Sequence, residues 1–229
     1  MIPRVLIDTA DIPGSTETLR LIQRGTEFSI MLGANELMNS RLSGSEEALA
    51  TLACAKISRT ISPSVLIGGL GMGFTLRAAL NALPDNANVI VAELVPAVVA
   101  WAKGPMAAHH GDSLSDPRTQ IIIGDVAALI HNGDARYDGI LLDVDNGPDG
   151  LTNTANDHLY SDAGLARADV ALRPGGVLAI WSAAANPAFA KRFRSAGFEV
   201  DEVTVRANKG KSGARHKIWL GTKRSDASR

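Results

Sequence analysis

Three acidic residues in the segment LLDVDNGPDG have the types and spacing for acid–base chemistry. Asp143, Asp145 and Asp149 follow or end the apolar run YDGILL, which has the composition of a buried strand. A carboxylate at the end of such a strand can take a proton from an attacking amine or hydroxyl, or orient that group. We therefore predict that Asp143 and Asp145 are catalytic, together with Tyr160, which follows in NDHLYS and could close an acceptor pocket with His158.

Two other interpretations of this segment remain open. Asp-Asn-Gly-Pro and Pro-Asp-Gly are turn sequences, so the acids could simply belong to a polar loop. Hard divalent cations take oxygen ligands, which Asp143, Asp145 and Asn146 could supply. Because the sequence puts no further acid beside these three, and the histidines lack a metal-binding spacing, we predict no metal site.

The segment VLIGGLGMGF combines an apolar run with alternating glycines, Gly69, Gly71 and Gly73. Such a loop lets the backbone approach a nucleotide-like ligand closely. The dinucleotide motif G-x-G-x-x-G would need glycine at position 74, which is Phe74, and a phosphate-binding P-loop would need a lysine that is absent here. Both phosphate-binding interpretations are therefore disfavoured, and a nucleoside remains.

Two further acids have the spacing of a nucleoside site. Glu93 ends the predicted strand in NVIVAEL, 24 residues beyond Gly69, where an acid can accept hydrogen bonds from a ribose diol. Asp125 ends TQIIIGD, where an ionised carboxylate can accept from an adenine amino group. Both acids could instead cap the helices that follow them. We predict that an adenosyl ligand contacts Gly69, Gly71, Gly73, Glu93, Asp125, Val126 and Asp143.

The elements that must hold these residues are those of an α/β protein. From about Ser64, five apolar runs alternate with helical patterns, which predicts a parallel sheet covered on both faces. The last two runs, Phe198–Ala207 and His216–Thr222, alternate apolar and polar residues around a polar loop and so predict an antiparallel hairpin. We expect a Rossmann-like domain over residues 45–229, with a seven-stranded, mostly parallel sheet.

Residues 1–44 form a separate, β-rich N-terminal region in this interpretation, too short for an independent core. The helix that follows starts near SGSEEALA, where Ser43 and Glu46 have the spacing of a capping box.

Composition narrows the class of protein. The chain has 229 residues, a net charge of -1, and one cysteine, Cys54, in an apolar helical pattern that indicates a buried thiol. We expect no attraction to nucleic acid or to an anionic membrane. The N-terminus lacks a signal-peptide pattern and no apolar run is long enough to span a membrane, so we expect a cytoplasmic protein.

The motifs IGGLGMG, AELVP, IIGDVAALI, YDGILLDVDNGP and ALRPGGVLAIW, in this order and spacing, resemble the spermidine synthase (polyamine aminopropyltransferase) family. The resemblance extends from about Leu37 to Trp181. It implies a class I S-adenosylmethionine-dependent methyltransferase fold, with the ribose-binding acid at Glu93, the adenine-binding acid at Asp125 and the catalytic aspartate at Asp143. It also implies a homodimer.

Three positions depart from the family pattern. The glycine loop of the family carries an aspartate where this chain has Gly71, and this aspartate helps to bind the aminopropyl donor. The second aspartate of the loop after the fourth strand falls on Asn146, and the tyrosine of the family's Tyr-Gln-Glu segment falls on Ser45. A polyamine needs carboxylates to offset the desolvation of its ammonium groups, and two such acids are missing here.

These departures favour a transferase that has left polyamine chemistry. The expected function is a methyltransferase that uses S-adenosylmethionine on a small-molecule acceptor. One alternative is an aminopropyltransferase that uses decarboxylated S-adenosylmethionine as donor. Another is a non-catalytic protein that binds adenosylmethionine or methylthioadenosine, and an NAD oxidoreductase is disfavoured by Phe74 and by the terminal hairpin.

Overall fold

The structure, a computed structural model, describes residues 2–144, 148, 158–208 and 213–224. Within these ranges a four-stranded antiparallel sheet precedes an α/β unit with a seven-stranded sheet. The strands of the first sheet are β1 Val5–Asp11, β2 Thr18–Arg24, β3 Glu27–Leu32 and β4 Asn35–Asn39. Those of the second are β5 Ser64–Gly68, β6 Asn88–Glu93, β7 Thr119–Ile123, β8 Tyr137–Leu142, β9 Leu172–Ser182, β10 Glu199–Arg206 and β11 Arg215–Thr222.

Seven α-helices are present in the described ranges. They are α1 Gly44–Lys56, α2 Phe74–Ala82, α3 Pro96–Lys103, α4 Ala107–His110, α5 Val126–His131, α6 Asp162–Ala171 and α7 Pro187–Ser195, and a 3₁₀ turn, Gly111–Leu114, follows α4. None of these described helices has both the length and the apolar composition that crossing a membrane requires.

The first sheet shares its core with the α/β unit. Alternate side chains of β2 and β3 are apolar and buried, as expected for strands with one covered face: Leu19, Leu21, Phe28, Ile30 and Leu32. These side chains belong to the same hydrophobic cluster as the buried faces of α1 and α2. The small N-terminal sheet is thereby fixed against the larger unit.

The second sheet has the strand order β10-β11-β9-β8-β5-β6-β7. Strands β5 to β9 pair in parallel, and the hairpin of β10 and β11 joins antiparallel to β9, as the sequence predicts. The chain runs outward from β5 to β7 on one side and restarts at β8 on the other. A crevice for a ligand is therefore expected between the carboxyl ends of β5 and β8.

Helix α1 is tied to the terminal hairpin at both of its ends. The amide of Gly44 donates to the carbonyl of Ala207 at 2.9 Å, and Lys56 forms an ion pair with Asp201 on β10. These contacts fix the first turn of α1, which contains Ser45 and Glu46, relative to the sheet.

The predicted capping box of α1 is wrong. Ser43 occupies the N-cap position, but its side chain makes no cap hydrogen bond among the described residues. Glu46 does not reach back to Ser43, because its Oε2 accepts a hydrogen bond from Ser45 Oγ at 2.7 Å. The carboxyl group of Glu46 therefore has a different environment from that expected of a helix cap.

Strand β9 begins earlier than the sequence predicts. The predicted strand starts at Val177, after Arg-Pro-Gly-Gly, whereas the observed one starts at Leu172. Its pairing with β8 shifts from Tyr137–Leu172 to Gly139–Val177. The Pro-Gly-Gly segment thus forms a bulge within the strand, since an extra segment on one strand of a pair bends it without ending it.

Gly221 on β11 provides a test of how the hairpin is packed. A Cβ atom at Gly221 would lie 2.3 Å from Cζ of Phe193 on α7, which is fully buried. We expect Gly221→Ala to lower the free energy of unfolding by about 1–3 kcal/mol because it overpacks the core. Urea denaturation measures this change.

Gly124→Ala is the matched control, because a Cβ there would have no described neighbour within 4 Å. This variant should change the free energy of unfolding by less than about 1 kcal/mol. Equal losses in both variants would contradict the packing described here.

Candidate functional site

The glycine loop and the end of β8 meet in the crevice at the centre of the second sheet. The amide of Asp143 donates to the carbonyl of Gly68 at 3.1 Å, and the amide of Gly69 donates to the carbonyl of Ala92 at 2.8 Å. Gly69 has φ +86°, and a Cβ on it would lie 2.6 Å from the carbonyl oxygen of Asp143. Only glycine fits at this position, both in its backbone conformation and in the space available.

Gly71 lies directly beside Met38 of the N-terminal sheet. Its φ is +48°, and a Cβ there would approach the Met38 sulfur to 2.7 Å. The position at which the spermidine synthase family carries an aspartate is therefore closely covered in this chain by a thioether. Gly73, with φ +72°, is the N-cap residue of α2, and the ring of His110 fills the space beside it.

Glu93 holds the glycine loop in place from the end of β6. Its carboxylate accepts hydrogen bonds from the amides of Leu70 and Val95, both at 2.9 Å. Burial raises the pKa of Glu93, while hydrogen bonds from the amides of Val95, Leu70, Gly71 and Leu94 oppose that shift. These amides hold the carboxylate at the wall of the crevice, which Glu93 also lines.

Asp125 caps α5 and also lines the crevice. Its Oδ1 accepts from the amide of Ala127 at 2.8 Å, so the alternative of a helix cap is correct. The same side chain and that of Val126 line the larger cavity of the crevice. Capping and ligand binding are compatible here, because the other carboxylate oxygen remains available as an acceptor.

We call this larger cavity the nucleoside cavity. The N-terminal sheet covers it with apolar side chains that include Leu19, Ile30 and Leu32. Its opposite wall contains six of the predicted ligand-binding residues, Gly69, Gly71, Glu93, Asp125, Val126 and Asp143. Gly73, the seventh, does not line it within the described chain but forms the turn into α2.

A second cavity, which we call the acid cavity, adjoins the first. The two cavities adjoin at the five residues that line both of them, which are Leu37, Met38, Gly69, Gly71 and Asp143. The acid cavity is also lined by Glu46 from α1 and by Phe74, Met72, Leu70 and Trp181. Two carboxyl groups thus face a small space with mostly apolar walls.

Asp143 has an unusual acid–base environment. Burial raises its pKa to about 7, repulsion from Glu46 acts in the same direction, and a hydrogen bond from Thr75 opposes both. That bond runs from Thr75 Oγ1 to Asp143 Oδ2 at 2.5 Å. A carboxyl group whose pKa lies near neutrality can exchange protons with a substrate, which suits it to act as a general base.

Glu46 shares this environment. Burial raises its pKa, and the hydrogen bond from Ser45 Oγ lowers it. Because Asp143 and Glu46 repel each other when both are ionised, the pair holds one proton more readily than two separate carboxylates would.

The sequence interpretation missed Glu46 as a site residue. Its spacing from Ser43 suggested a cap, but a second signal was present in the same helix. Leu49, Ala50 and Ala53 lie three, four and seven residues after Glu46, and all three are buried. A carboxylate on the apolar face of a helix requires a partner or a function, so this position could have been identified from the helical period.

Other predicted residues lie elsewhere. Tyr160 is buried, packs edge-on against Phe189 and donates from its hydroxyl to the carbonyl of Val144 at 3.4 Å. It is not among the described residues that line either cavity. Asp145, predicted to be catalytic, lies outside the described residues, as do Asn146 and Asp149.

Charge in the two cavities is strongly one-sided. Of the described residues that line them, none is a lysine, an arginine or a histidine, whereas Glu17, Glu46, Glu93, Asp125 and Asp143 are acids. A cationic ligand is therefore favoured, and an anionic group would have no balancing charge there.

Curated proteins similar in sequence are polyamine aminopropyltransferases. That of Sulfolobus acidocaldarius is 29% identical over 126 residues, which are 55% of this chain and 40% of that protein. Polyamine aminopropyltransferase 2 of Pseudomonas aeruginosa is 31% identical over 116 residues, 51% of this chain and 32% of that protein. The matched region thus spans less than half of either relative, and no family model matches the chain.

Solved structures of spermidine synthases have a similar fold. One, in complex with the transition-state analogue AdoDATO, superposes with a TM-score of 0.72 at 17% identity and covers 96% of this chain and 73% of that one. The spermidine synthase of Thermotoga maritima gives a TM-score of 0.71 at 16% identity, over 96% of this chain and 74% of that one. These likenesses confirm the predicted Rossmann-like, class I methyltransferase fold.

The comparisons contradict the prediction of a methyltransferase, because the relatives and neighbours are aminopropyltransferases and spermidine synthases. The absence of an acid at Gly71 does not leave this part of the crevice without one, because Glu46 lines the same cavity as Gly71. The predicted resemblance to the spermidine synthase family is confirmed by these relatives. The relatives are transferases, the class of enzyme that the sequence predicts. The chain is spermidine synthase-like in its sequence and in its Rossmann-like fold.

Proposed function

We propose that this chain is an aminopropyltransferase, which transfers an aminopropyl group from decarboxylated S-adenosylmethionine to a small amine. The acid cavity is the observation that carries this proposal. Asp143 and Glu46 face it together, and the described walls of both cavities contain acids but no cationic side chain. The names of the sequence relatives support the same class of reaction.

Charge distinguishes the two candidate donors. Intact S-adenosylmethionine carries a carboxylate, which Asp143 and Glu46 would repel and which no lysine or arginine of the described cavity walls would balance. The decarboxylated donor carries only positive charges, on its sulfonium and its ammonium. It therefore matches the charge of the cavity. In this proposal Glu46 on α1 contacts the donor in place of the aspartate that the spermidine synthase family carries at the position of Gly71.

The nucleoside part of the donor would bind in the nucleoside cavity. We propose that Glu93 accepts hydrogen bonds from the ribose and Asp125 from the adenine amino group, with Val126 against the ring. Gly69 and Gly71 line this cavity with backbone atoms, since neither carries a side chain. The apolar side chains of the N-terminal sheet exclude water from the other side.

The transfer is a substitution at carbon. The lone pair of the acceptor nitrogen forms a bond to the methylene carbon next to the sulfonium, and the bond between this carbon and sulfur breaks. Its electron pair stays on sulfur, which becomes a neutral thioether. An acceptor that binds as an ammonium must first lose a proton, so each turnover releases one proton.

Asp143 is placed to take that proton. It lines both cavities, so it adjoins both the donor and the acceptor in this proposal. Its raised pKa makes the carboxylate a stronger base than an ordinary aspartate, and Thr75 fixes one of its oxygens. Positioning and deprotonation are the main contributions that such a substitution requires from a protein.

Binding and turnover with a panel of donors and amines test this function directly. We expect calorimetry to show tighter binding of the decarboxylated donor than of S-adenosylmethionine, by at least about tenfold, or ~1.4 kcal/mol. Methylthioadenosine should form when a diamine is added. Binding without methylthioadenosine formation from any amine would contradict catalysis, and preference for intact S-adenosylmethionine would contradict the donor.

Glu46→Gln tests the acid that α1 contributes. We expect this isosteric change to weaken binding of the decarboxylated donor or of the amine about tenfold, because it removes one carboxylate from the acid cavity. Glu199→Gln is the control, since Glu199 is exposed on β10 and lines neither cavity in the described chain. Equal effects of the two substitutions would argue against a specific role for Glu46.

The raised pKa of Asp143 makes stability depend on pH. The folded protein holds this proton more tightly than the unfolded chain, so the associated stability is present at low pH and is lost as the pH rises from about 4 to about 7. Asp143→Asn keeps the acceptor for Thr75 but removes the charge. We expect it to raise the free energy of unfolding at pH 8 by on the order of 1–2 kcal/mol.

Urea denaturation at pH 5 and pH 8 measures this effect, which should shrink at the lower pH. The exposed residue Asp134 provides the control Asp134→Asn, for which no such gain is expected. A loss of stability in Asp143→Asn at pH 8 would contradict the acid–base state described here.

A further inference from the structure

The proton that each turnover releases must leave a cavity with mostly apolar walls. This inference rests on the proposed function, which requires the acceptor ammonium to lose one proton. In this inference Asp143 takes that proton and passes it to Glu46 across the acid cavity that both residues line, and the next acceptor needs the pair to be deprotonated again. A path from these carboxyl groups to solvent is therefore needed.

A continuous line of hydrogen-bonding atoms begins at Glu46. Its Oε2 lies 2.7 Å from Ser45 Oγ, and Ser45 Oγ lies 2.9 Å from Nδ1 of His216. Ser45 is fully buried, whereas His216 lies near one end of β11 and is partly exposed. The line thus starts at the wall of the acid cavity and ends at a side chain that reaches solvent.

We propose that Ser45 and His216 form a proton relay that carries the proton from Glu46 to solvent. Protonated Glu46 donates its proton to Ser45 Oγ while the hydroxyl proton of Ser45 passes to Nδ1 of His216. The ring then loses a proton from Nε2 to water. Three bonds to hydrogen form and three break, the carboxylate of Glu46 is regenerated, and one proton reaches the solvent. The ring is left with its proton on Nδ1, and a rotation of the partly exposed ring, with exchange of that proton for one from water at Nε2, restores the starting tautomer before the next turnover.

The heavy atoms need not move for this transfer. A serine hydroxyl can donate to one neighbour while it accepts from another, so the same two distances serve before and after the proton passes. After transfer, Ser45 donates to the Glu46 carboxylate and accepts from Nδ1–H of His216. A histidine ring with its two nitrogens is suited to receive a proton at one end and release one at the other.

The surroundings of His216 keep the ring in place and uncharged. The edge of the Trp181 ring packs against it, with ring centroids 4.8 Å apart, and Val205 faces it from β10. Burial lowers the pKa of His216, which favours the neutral ring that a relay requires.

The charged groups around His216 are few among the described residues. Glu46 of α1 approaches it only through Ser45. Its neighbours on β11, Arg215 and Lys217, belong to the opposite face of the strand because side chains alternate. Arg206 on β10 lies opposite Arg215 of β11, and Trp181, which β9 contributes, is uncharged. The hydrogen bond to Ser45 is thus the specific link between His216 and the cavity.

Steady-state kinetics of Ser45→Ala and His216→Ala test the relay. We expect each to lower kcat by at least about tenfold and to leave the KM of the donor within about twofold, because proton removal and not binding is impaired. Imidazole added to the buffer should restore kcat in His216→Ala, since it can take the place of the missing ring. It should not restore Ser45→Ala, in which the link to Glu46 is lost.

His131→Asn is the control, because His131 is exposed at the end of α5 and is not among the described residues that line either cavity. It should retain the wild-type kcat with or without imidazole. Thermal unfolding shows whether Ser45→Ala folds. If it does not, the response of His216→Ala to imidazole tests the relay by itself, because His216 is partly exposed and its replacement disturbs the core less.

The outcomes separate the two proposals. Wild-type protein that forms no methylthioadenosine from donor and amine would overturn the proposed function, and the relay with it. An active wild type in which His216→Ala has unchanged kcat, or has a reduced kcat that imidazole does not restore, would overturn the relay and leave the function standing.

Discussion

The repulsion between two carboxyl groups in a shared cavity is the constraint on which the site depends. Asp143 directly follows β8 and Glu46 lies in the first turn of α1, and each makes ionisation of the other less favourable. Neither has an arginine or lysine beside it in the described cavity walls. Two ionised carboxylates without a cation between them are unfavourable in such a cavity, so the pair binds either a proton or a cationic ligand.

The fold produces this arrangement by bringing three separate parts of the chain together. The crevice beside β5 exposes Asp143 next to Gly69, where the backbones touch so closely that no side chain fits. Helix α1 is tied to the terminal hairpin through Gly44 and Lys56, and this anchoring positions Glu46. The N-terminal sheet then covers the nucleoside cavity and places Met38 over Gly71.

Much of this could be predicted from periodicity and from local chemistry. Alternating apolar runs and helical patterns indicated the sheet and its terminal hairpin, and the ends of β5, β6 and β8 indicated Gly69, Glu93 and Asp143. These are features of short segments, which the sequence displays directly. Asp125 had two interpretations, and the structure shows that its capping role and its place in the cavity wall coexist.

The parts that were missed depend on contacts between distant segments. Glu46 acquires its role only because α1 packs beside the end of β8, and Ser45 meets His216 across 171 positions of sequence. The sequence around Glu46, Ser45 and His216 does not indicate that these contacts form. The sequence shows that position 71 carries no acid. The loss of polyamine chemistry expected from this does not follow, because Glu46 from α1 faces the same cavity.

Proton release on donor binding tests the central claim most directly. If Asp143 and Glu46 share a proton that a cationic donor displaces, calorimetric titration of the decarboxylated donor near pH 6.5, in buffers of different ionisation enthalpy, should show release of up to about one proton per site. The release should disappear in Asp143→Asn. Binding with no proton release in the wild type, or with the same release in both proteins, would contradict the account.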